Sequence, residues 1–304
     1  MAPNTEFTRA EAILSGATFD ASTLASKSVV LTGGASGIGE QYLRALVAVG
    51  VFVTFGDIAN DLGTKLASEF EGKVAFVPCD VLKWQDQLTL FKRAWEKSPS
   101  KTIDIVIANA GVSGTDGVFE QAETDDGDPI EPKLDILQIN LIGVVYTVKL
   151  ALFYLPKQPT AGNRDRCIIL TGSMASYLDY AGGPQYNTAK MGLRALMKSI
   201  RQSGPAQGIR INMLAPWFVA TRIRPQQASE QLLNGGAPFC EGEDCGAALL
   251  HLASDHAING RALGVVPRSN HPRGYYDLER DDWNEDDYMT AWQDAGRPRK
   301  RVGS

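Results

Sequence analysis

Seven short apolar runs punctuate the chain from residue 27 onward: SVVLT (28–32), VFVTF (51–55), VAFVP (74–78), IDIVIAN (103–109), CIIL (167–170), IRINML (209–214) and RALGVV (261–266). Continuous apolar stretches of this length, several of them rich in β-branched residues, predict strands covered on both faces. Longer amphipathic stretches lie between them, at 37–50, 60–70, 84–97, 132–155, 185–203 and 243–254. The alternation predicts an α/β fold: one doubly wound parallel sheet of about seven strands, with helices on both faces and right-handed crossovers. Residues 1–26 are small and polar without a strong period, which predicts an N-terminal arm with one short helix. Residues 27–267 form one domain in this reading, and residues 268–304 form an extension. That extension is acidic and then basic, with Trp283, Tyr288 and Trp292 interspersed. Aromatics of this size are costly to leave in water, so this part is expected to dock on the domain or on a partner subunit, ahead of a solvated RPRKR tail.

Composition narrows the class. The chain has 304 residues, 44% hydrophobic and 21% charged, with net charge -5, the profile of a soluble globular protein. Mild acidity argues against a nucleic-acid partner, which needs a basic face. No uninterrupted apolar run approaches the roughly 20 residues of a membrane span. The first residues lack a basic and then apolar leader, and the chain stops at RVGS, so a cytoplasmic location is expected. Cys79, Cys167, Cys240 and Cys245 form no C-x-x-C pair, and His251, His256 and His271 show no zinc-type spacing. Idle thiols in a reducing compartment and no metal site are the expectation.

The first run leads directly into TGGASGIG, Thr32 to Gly39. Gly33, Gly37 and Gly39 would let the backbone turn sharply, approach a pyrophosphate and pack the next helix on the sheet. The anion would then sit at the N-terminus of the helix beginning near Gly37, where N–H groups and the helix dipole favour negative charge. Asp57 closes the second run, 18 residues after Gly39, close to the distance at which a carboxylate reaches an adenosine ribose. Such a carboxylate repels a 2′-phosphate, and neither Ile58 nor Ser36 supplies a cation, so NAD is favoured over NADP. The alternative is an Asp that caps the following helix.

With these features the chain resembles the classical short-chain dehydrogenase/reductase family over residues 27–267, which implies a Rossmann-type sheet. The resemblance implies that Asp80 and Val81 lie at the adenine, that Asn109, Ala110 and Gly111 (NAG) stabilise the sheet beside the cofactor, and that Ser36 and Ile38 join the glycines. It matches Asn140, Ser173, Tyr186 and Lys190 to the catalytic set, with Tyr186 13 residues after Ser173 and Lys190 four after that. Positions i and i+4 share a helix face, so Tyr186 and Lys190 meet at one spot. A phenol with a pKa of about 10 is a poor base near neutrality, and a neighbouring ammonium favours the phenolate. Tyr186 can then serve as general acid/base, with Ser173 stabilising charge on the substrate oxygen. By resemblance, Lys190 and Tyr186 also touch the nicotinamide ribose, and Asn140 holds a water that relays the proton.

One departure concerns APWFVAT. Pro216, Val219 and Thr221 sit where the family contacts the carboxamide, but Trp217 replaces the usual glycine. Pro-Trp-aromatic-Val is similar to a subset of fungal secondary-metabolite dehydrogenases and, more distantly, of hydroxyprostaglandin dehydrogenase. Phe119, Met174, Tyr177, Tyr180, Trp217 and Phe218 predict an apolar, aromatic substrate pocket under a lid near 217–240, unless they pack among themselves as core. A bulky hydrophobic or aromatic secondary alcohol or its ketone is the expected small-molecule partner. Arg222 or Arg224 could meet a substrate carboxylate or remain surface charge. A biosynthetic enzyme coupling redox to cyclisation or epimerisation, and a non-catalytic NAD-binding scaffold, remain as alternatives. The resemblance also implies a homodimer or homotetramer through the helices near 132–155 and 185–203.

Overall fold

The structure, a computed structural model, describes residues 11–13, 16–158, 166–219, 221, 238–282 and 289. Eight strands form one sheet in the order β3-β2-β1-β4-β5-β6-β7-β8: β1 Ser28–Thr32, β2 Phe52–Asp57, β3 Val74–Pro78, β4 Ile105–Ala108, β5 Cys167–Thr171, β6 Arg210–Pro216, β7 Ala262–Val265 and β8 Tyr275–Asp277. All neighbours pair in parallel except β7 and β8, which pair antiparallel with Leu263 opposite Asp277. Strand order reverses between β1 and β4, the place where open α/β sheets bind ligands beyond their carboxyl ends.

The helices are α1 Gly37–Ala48, α2 Asn60–Glu69, α3 Trp84–Lys97, α4 Asp135–Lys157, α5 Pro184–Ser203 and α6 Gly242–Ser254. The strands are buried on both faces because alternate residues serve two separate cores. Val29, Leu31, Ile105 and Ile107 join Tyr42, Leu46 and Leu249 on the α1–α6 side. Val30, Val106 and Ile168 join Phe91, Val148 and Met197 on the side of α3, α4 and α5. By length and composition alone α4, whose most apolar 18-residue window has mean hydropathy 1.8, could cross a membrane. Polar residues interrupt it in the sequence, and here Val144, Val148 and Ala151 pack it on the sheet as a core helix.

The sheet continues past residue 267, because β8 comes from the stretch expected as an extension and completes the sheet. Its short alternating pattern, Tyr275 and Asp277 buried and Tyr276 exposed, made it indistinct beside the acidic run that follows. Arg261 donates from Nε to Asp277 at 2.8 Å, tying β8 to β7. The N-terminal arm also packs: the helical turn Ala21–Leu24 buries Leu24, and Phe19 stacks on His251 with ring centres 4.7 Å apart. The Ile13 N–H donates to Asp277 and Arg273 donates to the Ala17 carbonyl, so both ends of the domain share one seam. Trp283, Tyr288, Trp292 and the RPRKR tail lie outside the described residues, as do Arg222, Arg224 and the lid from 222 to 237.

Candidate active site

Between β1 and α1 the backbone must pass under Asn109 and back against its own strand. Gly33 (φ +66°) and Gly37 (φ +58°) take left-handed conformations, and a Cβ on Gly39 would stand 1.9 Å from the Gly33 carbonyl oxygen. The loop is then pinned by main-chain-directed bonds. Asn109 donates from Nδ2 to the carbonyls of Thr32 (3.1 Å) and Gly33 (2.9 Å), and the N–H groups of Asn109 and Ala110 donate to Thr32 Oγ1. Ser36 N-caps α1 in extended conformation but makes no side-chain cap bond, so the first turn of the helix offers its N–H groups to a ligand.

Asp57 ends β2 and holds main chain on two sides. One carboxylate oxygen accepts from the Ala35 N–H and the other from the Ala59 N–H, each at 2.9 Å. It thus steadies both the glycine turn and the entry to α2, while each oxygen keeps capacity for another donor. Asp80 similarly accepts from the Leu82 N–H at 3.0 Å.

Ser173 follows β5 and N-caps the short turn Met174–Ser176 in a reciprocal capping box. Its Oγ accepts from the Ala175 N–H at 3.1 Å, and Ser176 donates in turn to the Lys190 carbonyl at 2.8 Å. Tyr186 and Lys190 lie on one face of α5, with Nζ 5.5 Å from the Tyr186 ring centre. Lys190 is buried and donates to the Thr171 carbonyl at 2.9 Å. Burial lowers its pKa from the usual 10.5 to about 8, because removal from water disfavours the ammonium.

One cleft of about 470 Å³ gathers these groups. Every residue expected at a dinucleotide lines it, from Gly33 and Ser36 through Asp57, Asp80, Val81 and the Asn109–Gly111 stretch to Pro216, Val219 and Thr221, and so do Ser173, Tyr186 and Lys190. Asn140 does not. Its amide is spent on the main chain of Val112, accepting from the N–H and donating to the carbonyl, both at 2.8 Å. It sits in a π-helical turn, Gln138–Gly143, within α4, a distortion that recurs at functional sites.

The sequence reading omitted several lining residues, among them Cys79, Val112, Ile139 and Thr171. These are mostly small or apolar residues at the carboxyl ends of strands, and only the switch-point rule could have flagged them. The aromatic wall divides. Met174, Tyr180, Trp217 and Phe218 line the cleft, and Trp217 packs on Phe218 with ring centres 4.5 Å apart. Phe119 is 61% exposed and does not line the cleft, and Tyr177 is turned into a buried contact with Asp281.

The cleft can bind a flat, extended, anionic ligand on its glycine side and present a phenol, a hydroxyl and an ammonium to a small molecule on the other. Residues 27–232 match the family model described as short chain dehydrogenase. The chain is 33% identical to 5'-hydroxyaverantin dehydrogenase of Dothistroma septosporum over 86% of its length and 90% of that protein. It is 30% identical to an NADP-dependent dehydrogenase of a Phoma species, covering 81% and 76% of the two chains. The fold is similar to that of a 3-ketoacyl-(acyl-carrier-protein) reductase from Brucella melitensis, with TM-score 0.68 and 21% identity over 80% of this chain and 97% of that one.

Proposed function

The chain belongs to the short-chain dehydrogenase family and is an oxidoreductase acting on an alcohol or ketone, and we propose that its reaction is the NAD-dependent interconversion of a bulky aromatic or hydrophobic secondary alcohol and its ketone, with Tyr186 as general acid/base. The observation that carries this reading is the convergence of Ser173, Tyr186 and Lys190 on the glycine-turn cleft. The close approach forced at Gly39 and the uncapped first turn of α1 suit a pyrophosphate there. Asp57 would hold the adenosine ribose, Asp80 and Val81 would border the adenine, and Val219 and Thr221 would meet the carboxamide. A bound nicotinamide supplies hydride exchange with the carbinol carbon.

The remaining work belongs to side chains of this protein. The Lys190 ammonium, fixed by Thr171, favours the Tyr186 phenolate, so that Tyr186 takes a proton from the alcohol oxygen or returns one to the carbonyl. Because Ser173 Oγ already accepts from Ala175, its own O–H is left to donate to the substrate oxygen and stabilise charge there. With its side chain committed to Val112, Asn140 steadies the main chain that follows the Asn109–Gly111 stretch at the cleft. Asp57 supports NAD, since a carboxylate at that rim accepts from ribose hydroxyls and repels a phosphate. Exposed Ile142, Val145 and Phe153 on α4 and Met191 on α5 support a homodimer or homotetramer.

The test is turnover of a panel of secondary alcohols and ketones, 5'-hydroxyaverantin included, with NAD and NADP in parallel at the reduced-nicotinamide absorbance. Fastest turnover of large aromatic members with NAD is expected. Preference for small polar alcohols would overturn the substrate assignment, and preference for NADP would overturn the role given to Asp57.

A further inference from the structure

Residues 277–282 run back from β8 over the two elements that carry the reacting groups. The turn that begins at Ser173 ends at Tyr177, whose N–H donates to the Met174 carbonyl at 2.9 Å. The Tyr177 hydroxyl donates to one carboxylate oxygen of Asp281 at 2.6 Å. Arg194 stands four residues past Lys190 on α5 and donates from Nε to the other oxygen at 2.7 Å. Its guanidinium also lies 4.3 Å from the Tyr177 ring centre. The segment bearing Asp281 is itself fixed. Arg201 donates to the Asp281 carbonyl at 2.8 Å, and Arg201 and Arg261 pair with Asp282 at 3.0 and 2.8 Å.

We infer that Asp281 is a positioning residue for the reaction: gripping Tyr177 with one oxygen and Arg194 with the other, it sets the spacing between the turn that carries Ser173 and the helix that carries Tyr186 and Lys190. The chain between these elements passes through Ala181, Gly182 and Gly183, with Gly182 at φ +88°, and cannot set that spacing by stiffness. The hydrogen bond from Ser176 to the Lys190 carbonyl joins turn and helix near the cleft. Bonds from Lys190 to the Thr171 carbonyl and from Asn187 to the Tyr180 carbonyl also tie this segment to the helix, and Asp281 is the ion-paired attachment on the side away from the cleft. Asp281 is 5% exposed, so its ionic bonds work out of water. The extension thereby becomes part of the active site, although its residues lie about a hundred positions from Ser173.

The inference rests on the catalytic reading of Ser173 and Tyr186, so the test includes Tyr186→Phe. Asp281→Asn and Tyr177→Phe are compared with the unaltered full-length protein for kcat, alcohol KM, dinucleotide Kd by calorimetry and thermal midpoint. A displacement near 1 Å costs on the order of 100-fold in rate, so each variant is expected to lose about 10- to 100-fold in kcat, with dinucleotide Kd within about twofold. Because both act through one attachment, the double variant should lose little more than Asp281→Asn alone. Unchanged kcat per folded molecule with only a lower thermal midpoint would reduce Asp281 to a stabilising ion pair and overturn the inference. If Asp281→Asn does not fold, Tyr177→Phe decides alone, since it keeps both charges and the ring beneath Arg194. Full turnover by Tyr186→Phe would remove the catalytic reading and this inference with it. Loss of turnover there, alongside wild-type kcat in the other two variants, would remove the inference only.

Discussion

The two walls of the cleft are built differently. On the glycine side, residues 28–111 shape the site with main chain: turns at Gly33 and Gly37, the contact at Gly39, and bonds from Asn109 and Asp57 to nearby carbonyl and N–H groups. On the other side, side chains do the work. Ser173, the pair Tyr186 and Lys190, and the pair Trp217 and Phe218 come from three separate segments, and the spacing of the first two is set by a partner as distant as Asp281. A wall made of main chain tolerates few residue types and serves a cofactor of fixed shape. A wall made of side chains can change its substrate without disturbing the sheet.

That contrast can be broken by mutation. The largest effect on dinucleotide binding is expected on the glycine side: Gly39→Ala forces a Cβ against the Gly33 carbonyl, and overpacking of this kind should weaken that binding by about 100-fold, measurable by calorimetry with circular dichroism to confirm folding. Next comes the seam between the walls. The pKa of Lys190 is lowered by burial to about 8 from 10.5, so the unfolded chain holds its proton more tightly than the folded one. Stability therefore rises with pH between about 8 and 10.5 through this group. Lys190→Met removes the penalty and should stabilise the ligand-free fold at pH 7 by up to about 3 kcal/mol, an advantage that fades toward pH 10.5 in denaturant titrations.

Asp57→Ala removes the proposed ribose acceptor and two main-chain ties. It should weaken NAD by about 30-fold, the worth of hydrogen bonds to a charged group, while NADP changes far less. The smallest of these effects belongs to the aromatic part of the substrate wall. Trp217→Gly opens the aromatic surface and should raise KM for a large aromatic alcohol by about 10-fold through lost apolar contact, with dinucleotide Kd unchanged. An equal loss for small and large alcohols would show that Trp217 shapes the loop rather than the pocket.

The same division decided what could be read before folding. Gly33, Gly37 and Gly39 were legible because a tight turn between strand and helix leaves few residue choices, and Asp57 because of its spacing from them. The Asn109–Gly111 stretch was legible only through the family resemblance. So was the pairing of Tyr186 and Lys190 with Ser173, since helix periodicity shows only that the two share a face. Tyr177 was misjudged as a pocket residue because its neighbour, Asp281, is 104 positions away and no local pattern marks the pair. The eighth strand was missed for a similar reason: three residues with one antiparallel neighbour carry too short a pattern. Asn140 was placed on the helix, but neither the π turn it sits in nor the bonding of its amide to Val112 is announced by any residue type there.

The central claim is that the phenol of Tyr186, held beside Lys190 and the glycine turn, carries the proton of the alcohol. Its most direct test is Tyr186→Phe, with kcat and dinucleotide Kd measured on one preparation. The account predicts that kcat falls at least about 1,000-fold, within the range for loss of a general acid/base, and that Kd stays within about threefold. Turnover retained at a tenth of wild type or more, with the dinucleotide still bound, would contradict it.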